Sequence, residues 1–238
     1  MTAVPTYKLP FSPAALAVAF AVVALLALSF WQFYRLGWKT ELINTVAQRQ
    51  QAAPVTTMNG PVEDLNFRRA ILTGSINRSE GFELLTQTYE GQLGHDWIVP
   101  MVVPTGSGAT GIVVLVDLGW VPDDWTPPPN GSANIETISG TLGIPPKRNF
   151  FTLANPPGLN KLYHLDPAEI AARLDAPVSP LVLYADRLGD APPVGGQLIL
   201  EFRNNHLVYA LTWLALAIAA VVMYVVGTRR NVKFTIDP

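Results

Sequence analysis

The residues best suited to chemistry lie on one short stretch that runs from His206 through Tyr209 and Ala210 to Trp213. On a helix these four fall at i, i+3, i+4 and i+7, so an imidazole, a phenol, a small gap and an indole line one face. Two turns cover about 10.5 Å, comparable to the width of a porphyrin ring. A neutral imidazole has a lone pair to offer a metal, and an ionisable ring at the mouth of a membrane span is a functional candidate by default. Haem ligation is one reading of this face. The other is an interfacial helix cap within an aromatic belt, and on residue types alone it is preferred.

Little else in the chain competes. There is no cysteine, which removes disulfides, thiolate metal sites and cysteine nucleophiles. No Gly-x-Ser-x-Gly elbow, His-Glu-x-x-His helix or phosphate loop is present. Of the remaining two histidines, His95 beside Asp96 reads as a surface residue in a turn after Gly94, and His164 reads as structural. Glu63-Asp64 and Asp123-Asp124 are adjacent pairs whose side chains diverge, so they read as solvated surface rather than as an acid and a base. Gly106, Gly108 and Gly111 match a dinucleotide fingerprint, but Ile112 to Val116 follows as strand where a helix is required. A glycine-rich hairpin turn is the better reading.

The elements that carry the His206 face are hydrophobic. Only 14% of residues are charged, against about 25% in average soluble sequence, and mean hydropathy is +0.26. The net charge of −2 leaves no excess to attract phosphate backbones, so no nucleic acid partner is expected. No charged side chain occurs between Lys8 and Arg35, a gap of 26 residues, and Leu207 to Val226 gives another 20. Both are long enough to cross a bilayer. Ala27 and Ser29 would suit a cleaved signal peptide, but Phe30, Trp31 and Tyr34 continue the apolar run as an aromatic belt, which favours an anchor. Lys8, Arg229, Arg230 and Lys233 place both termini in the cytoplasm and the middle on the far side. The absence of an Arg-rich, acid-poor leader favours the bacterial cytoplasmic (inner) membrane over a mitochondrial precursor. The expected layout is a tail over 1–12, a first span over 13–34, a periplasmic domain over 35–203, a second span over 204–226 and a tail over 227–238.

That domain holds 17 of the 21 prolines and 17 of the 18 glycines, so long helices are improbable within it. Short aliphatic runs read as strands at Ala70 to Ile76, Phe82 to Thr88, Trp97 to Val103, Ile112 to Leu118, Ile135 to Leu142 and Leu181 to Ala185. They suit a small antiparallel sheet or barrel. Lys39 to Gln50 can continue the first span as helix, and Pro167 to Leu174 carries Asp166 as N-cap and Glu169 three residues after it. The fold class is a membrane protein with two transmembrane helices flanking an extracytoplasmic β-rich α+β domain.

Arg203-Asn204-Asn205-His206-Leu207-Val208-Tyr209-Ala210-Leu211-Thr212-Trp213 resembles the signature that opens the second span in the Surfeit locus protein 1 family. Trp31-Gln32, Arg35 and Trp38-Lys39 resemble the signature that ends the first span. Gly119-Trp120-Val121-Pro122 and the segment from Pro145-Pro146 through Asn155-Pro156-Pro157 to Asp166 fall in the family's order. The resemblance implies an assembly factor for cytochrome c oxidase rather than an enzyme. It would bind haem a transiently and assist its insertion into subunit I, with haem a synthase as a further partner. It implies His206, the axial ligand to the iron, and Trp213 as haem contacts, and Tyr209 and Arg203 stand beside them. By charge, Arg203, Arg35 and Lys39 are candidates for the propionates.

Two positions depart from the family pattern. Asp117-Leu118 stands where Asn-Arg is usual, and Ser29-Phe30 replaces a glycine before Trp-Gln, which puts close helix packing there in question. A scaffold that holds oxidase subunits without haem is the alternative function, and an enzyme acting on haem is disfavoured for want of a second acid-base constellation. The domain over 35–203 has twelve basic and seventeen acidic side chains, about 17% of its residues, still below the soluble average. A surface covered by the bilayer or by a partner is expected.

Overall fold

The structure is a computed structural model that describes residues 12–105, 111–129, 131–198 and 203–233. The chain divides into two compact units, one made of 1–45 with 201–238 and the other of 46–200. The first is built from two helices, α1 (Pro13–Gln51) and α4 (His206–Lys233). Between them in sequence lie α2 (Val62–Leu65), β1 (Arg69–Ile76), β2 (Phe82–Tyr89), β3 (Gln92–Pro104), β4 (Gly111–Pro122), β5 (Asn134–Gly143), β6 (Lys161–Leu162), α3 (Pro167–Leu174) and β7 (Val178–Ala185).

Helix α1 has 39 residues and is continuous past Lys39, as the apolar run followed by a helix-forming stretch implies. At 1.5 Å per residue it is about 58 Å long, roughly twice the hydrocarbon thickness of a bilayer. Most of its apolar side chains, Phe20 and Phe30 among them, are exposed, and the same holds for α4. Both helices contain stretches long and apolar enough to cross a membrane.

The sheet of the second unit runs β1-β5-β7-β4-β3-β2-β6. β1 also pairs with β3, at Ser75 with Val102 and Ile76 with Met101, so the first five strands in that order close on themselves as a small barrel. Its interior is filled by alternating residues such as Leu72, Val99, Met101, Val116, Leu142 and Leu183. The other face of β3, β4 and β7 presents Ile98, Leu115 and Val182 to Leu165 of the preceding loop and Ile170 of α3. Because both faces are covered, nine consecutive residues of β4, Val113 to Val121, are buried without alternation.

Three expectations need correction. The sheet is mixed rather than antiparallel, because β4 pairs with β7, and β2 with β6, in parallel. The long excursion from β4 through β5, the loop at 144–166 and α3 supplies the crossover that a parallel pair needs. The strand β6 was not anticipated, since two residues leave no periodic signal. His95 is not in a surface turn. It lies within β3, opposite Val121, and is only 7% exposed, with Nδ1 3.8 Å from Asp123. Gly94 is strand because the Trp120 indole and the Val121 carbonyl occupy the space a Cβ would need.

Other readings agree with the structure. Asp166 caps α3 by accepting from Ala168 N–H at 2.9 Å, and Asp175 closes it in the left-handed region. His164 is held structurally, its backbone N–H and C=O both bonded to Asn155, which is itself buried. Glu63, Asp64, Asp123 and Asp124 are exposed. Of the glycine run, 106–110 lies outside the described residues, and Gly111 opens a strand rather than a helix.

Candidate functional site

α4 begins at His206 because Asn204 and Asn205 supply the turn before it. The Asn204 side-chain oxygen accepts from the His206 N–H at 3.4 Å, and the Asn205 carbonyl accepts from Tyr209 N–H. Within the first unit, hydrogen bonds between described residues join α4 and the turn before it to α1, and they run in opposite directions along the two helices. Asn204 reaches Thr40 at 3.4 Å, His206 reaches Gln32 and Ala210 reaches Ser29, so the pair is antiparallel. Ser29 is buried and donates its hydroxyl to the Ala210 carbonyl at 2.9 Å, and Ala210 has no exposed surface. Ser29 therefore keeps a small residue where the helices approach and adds an interhelical hydrogen bond.

His206 meets Gln32 with 2.7 Å between Nδ1 and Oε1. An amide oxygen only accepts, so Nδ1 carries the proton and Nε2 retains the lone pair. This tautomer and this support suit a metal-binding imidazole that ligates through Nε2. One turn beyond the Ser29–Ala210 contact, Trp213 is half-buried and its indole N–H is buried with no acceptor among the described residues. A buried donor left open costs stability, so the site has a polar requirement that the described residues do not meet. An imidazole lone pair and an unsatisfied indole N–H on one helix face fit a large planar metallo-ligand that carries oxygen substituents.

The other residues of the two signatures divide. Gln32, Arg35 and Lys39 follow the i, i+3, i+7 stripe of α1 that meets α4, and all three are half-buried. The Arg35 guanidinium lies over the Trp38 ring at 4.3 Å, a cation–π contact that orients it. Trp31, Trp38 and Tyr209 are about half exposed, and Arg203 is exposed. Sequence reasoning placed Gln32 and His206 in separate signatures and did not pair them. A polar amide in an apolar span was the available signal.

Gly119 and Trp120 belong elsewhere. A bulge in the β3–β4 ladder sets Asp96 opposite Trp120 but Ile98 opposite Asp117. Gly119 takes φ 107° there, and a Cβ on it would run into the Val194 carbonyl. Trp120 then exchanges backbone bonds with Val194 at 3.0 and 2.8 Å. This motif is structural. It also buries two carboxylates that sequence reasoning did not single out, Asp96 and Asp117, on the same side of the sheet as Tyr184 of β7. Asp117 accepts from the Gly119 N–H at 2.9 Å. Burial pushes Asp96 up to about 6, and burial together with the charge of Asp96 raises Asp117 well above the usual carboxylate range. Leu118 packs into the barrel core. No group of three or more His, Asp or Glu able to hold a metal ion occurs among the described residues.

Comparison with known proteins finds relatives along most of the chain. The model of the SURF1 family matches residues 19–218, which takes in most of α1, the barrel and the start of α4. Surfeit locus protein 1 of Xenopus tropicalis is 28% identical over 221 residues, 85% of this chain and 71% of that protein. The Homo sapiens and Mus musculus proteins of the same name are each 28% identical, over 83% and 81% of this chain and 71% and 68% of their own lengths. With the match extending from within α1 to beyond Trp213 of α4, the chain belongs to the SURF1 family.

Proposed function

We propose that this protein binds haem a on the His206 face of its paired helices and assists its insertion into subunit I of a haem-copper oxidase. The family is known as one of cytochrome oxidase assembly factors, not catalysts. The observation that carries the haem reading is the Gln32–His206 hydrogen bond, which fixes Nδ1–H and leaves Nε2 free to ligate. His206 would hold the iron, and the Trp213 indole would lie against the ring or donate to one of its oxygens. Tyr209 and Arg203 at the start of α4, with Arg35 and Lys39 on the part of α1 paired with it, are the groups that would meet the propionates at the interface. Haem a synthase, as donor, and oxidase subunit I, as acceptor, are the partners this role requires.

An absorption spectrum of the detergent-purified protein from cells that make haem a tests this. A haem a band that survives washing supports the reading, and a colourless protein favours a scaffold that holds oxidase subunits without haem.

The same role sets the topology. α1 and α4 are the two spans, over 13–34 and 204–226, in a bacterial inner membrane. The tails 1–12 and 227–238 are cytoplasmic, and 35–203 is periplasmic. The exposed apolar faces of both helices support membrane residence. A reporter enzyme fused after Pro238 should be active only if it functions in the cytoplasm. Activity of an export-dependent reporter at that position would reverse the topology.

A further inference from the structure

The connection from β5 to β6, 144–160, takes no part in the haem reading, yet it holds the most exposed aromatic pair among the described residues. Phe150 and Phe151 are 94% and 89% exposed, and Leu153 beside them is exposed as well. The tip is a built turn. The Asn149 side-chain oxygen accepts from the Phe151 N–H and from the Thr152 hydroxyl, both at 2.9 Å, and Arg148 Nε donates to the Thr152 carbonyl at 3.1 Å. The two rings meet edge to face with centroids 5.5 Å apart. At the base of the loop, buried Asn155 accepts from the N–H groups of Tyr163 and His164. Two rings are thus presented to water in one fixed arrangement, which is unfavourable unless something covers them.

The charge around this tip is opposite to that of the rest of the domain. Residues 35–203 carry twelve basic and seventeen acidic side chains, but between Glu136 and Asp166 there is no acidic residue, only Lys147, Arg148 and Lys161. Lys161 is paired with Glu83. Lys147 and Arg148 are exposed and form no ion pair among the described residues. We propose that this tip, Phe150 and Phe151 flanked by Lys147 and Arg148, docks the β-rich unit on the surface of an anionic lipid bilayer.

Aromatic side chains that enter the acyl boundary beside cations that meet the headgroups are the chemistry of interfacial membrane binding. An anionic surface repels the domain as a whole and attracts this stretch, so charge alone selects the face that docks. A protruding apolar tip also suits lipid, which closes around it, whereas a protein partner would have to supply a matching pocket and would place Lys at a position where interface cores avoid it. The chain supplies the reach. Leu198 lines the same cavity of about 480 Å³ as Lys147, Arg148 and Thr152, and only seven residues separate it from His206, a tether of at most about 29 Å when extended. Any bilayer that α4 enters is therefore present at high effective concentration. The proposal rests on the reading of α1 and α4 as membrane spans and is separate from the haem reading.

The chain has no cysteine, so single nitroxide labels can be placed without background. Full-length Leu153→Cys, Val23→Cys and Glu90→Cys proteins, labelled and reconstituted in vesicles of phosphatidylcholine with phosphatidylglycerol, report whether each site meets lipid-soluble oxygen or a water-soluble nickel chelate. Oxygen should prevail at position 153 as it does at 23, and the chelate should prevail at 90. Lys147→Gln with Arg148→Gln, Phe150→Ser with Phe151→Ser, or vesicles of phosphatidylcholine alone should each lower the oxygen-to-nickel ratio at 153 about fivefold or more. All four side chains are exposed, so the substitutions leave the fold intact and the label at 90 unchanged. A water-like label at 153 beside a lipid-like label at 23 overturns the docking site and leaves the spans standing, whereas a water-like label at 23 removes the spans and the docking site together. Protection of 153 from both reagents would assign the tip to a second copy of the chain, and a lipid-like signal unmoved by either double substitution would mean that another surface makes the contact. Both overturn the proposal.

Discussion

His206→Ala protein, purified in detergent from cells that make haem a, should be colourless where the wild type carries haem, and imidazole added to the buffer should restore part of the band. The geometry calls for a near-complete loss. Among the described residues of α1 and α4, His206 is the only imidazole, and no Cys or Met is near enough in sequence to replace it. Gln32→Leu gives the graded counterpart. It leaves the imidazole in place but removes the acceptor 2.7 Å from Nδ1, so the ring is free to turn and to place its proton on Nε2. Loss of an outer-shell partner of this kind weakens metal affinity about 10- to 100-fold. Gln32→Glu should hold haem at least as well as the wild type, because a carboxylate accepts from Nδ1–H more strongly than an amide does. If His206→Ala keeps the full band while Trp213→Ala loses it, the imidazole is not the ligand. If Gln32→Leu binds as tightly as the wild type, the hydrogen bond is only a helix contact.

Much of the fold is legible in the sequence because its signals are local. The six strand runs, the Asp166 cap and the two long apolar stretches each depend on period, composition or a cap pattern within a dozen residues, and the structure has an element at each. What was not legible depends on pairs distant in sequence. His95 looked like a turn residue because Gly94 precedes it, yet that glycine serves the Trp120 indole from the next strand. The parallel pairing of β4 with β7 follows from a crossover of more than fifty residues, for which no local pattern exists. The candidate site shows the same division. The His206–Trp213 stripe is a helical period and could be read directly, whereas its partner Gln32 lies 174 residues away. Asp96 and Asp117 sit in runs that read simply as strand, and only the bulge at Gly119 turns both toward one cavity.

Stability measured against pH should expose that carboxylate pair, and the sign follows from the direction in which burial moves each group. Unfolded, both groups titrate near the ordinary aspartate value, about 3.9. Folded, burial pushes Asp96 up to about 6, and burial followed by repulsion from Asp96 raises Asp117 as well. Between those values the native state binds more protons than the unfolded state, so stability falls as pH rises. The fall should begin near pH 4 and continue through about pH 6 for Asp96, with Asp117 contributing in the same direction. A rise of this size corresponds to about 3 kcal/mol lost by neutral pH from Asp96 alone. Asp186 works in the opposite sense, since its bonds to Arg69 hold it below the usual range and protect the fold above the acid region. Comparing wild type with the Asp96→Asn, Asp117→Asn double variant cancels that contribution. The groups facing the pair are the Tyr184 phenol, itself raised by burial and by both carboxylates, and Lys147, Arg148, Tyr163 and His164 on the opposite wall. In thermal unfolding of the full-length protein the two should be nearly equal in stability at pH 4, and the double variant should be several kcal/mol more stable at pH 7.5. Parallel curves across that range would mean that Asp96 is solvated and titrates normally.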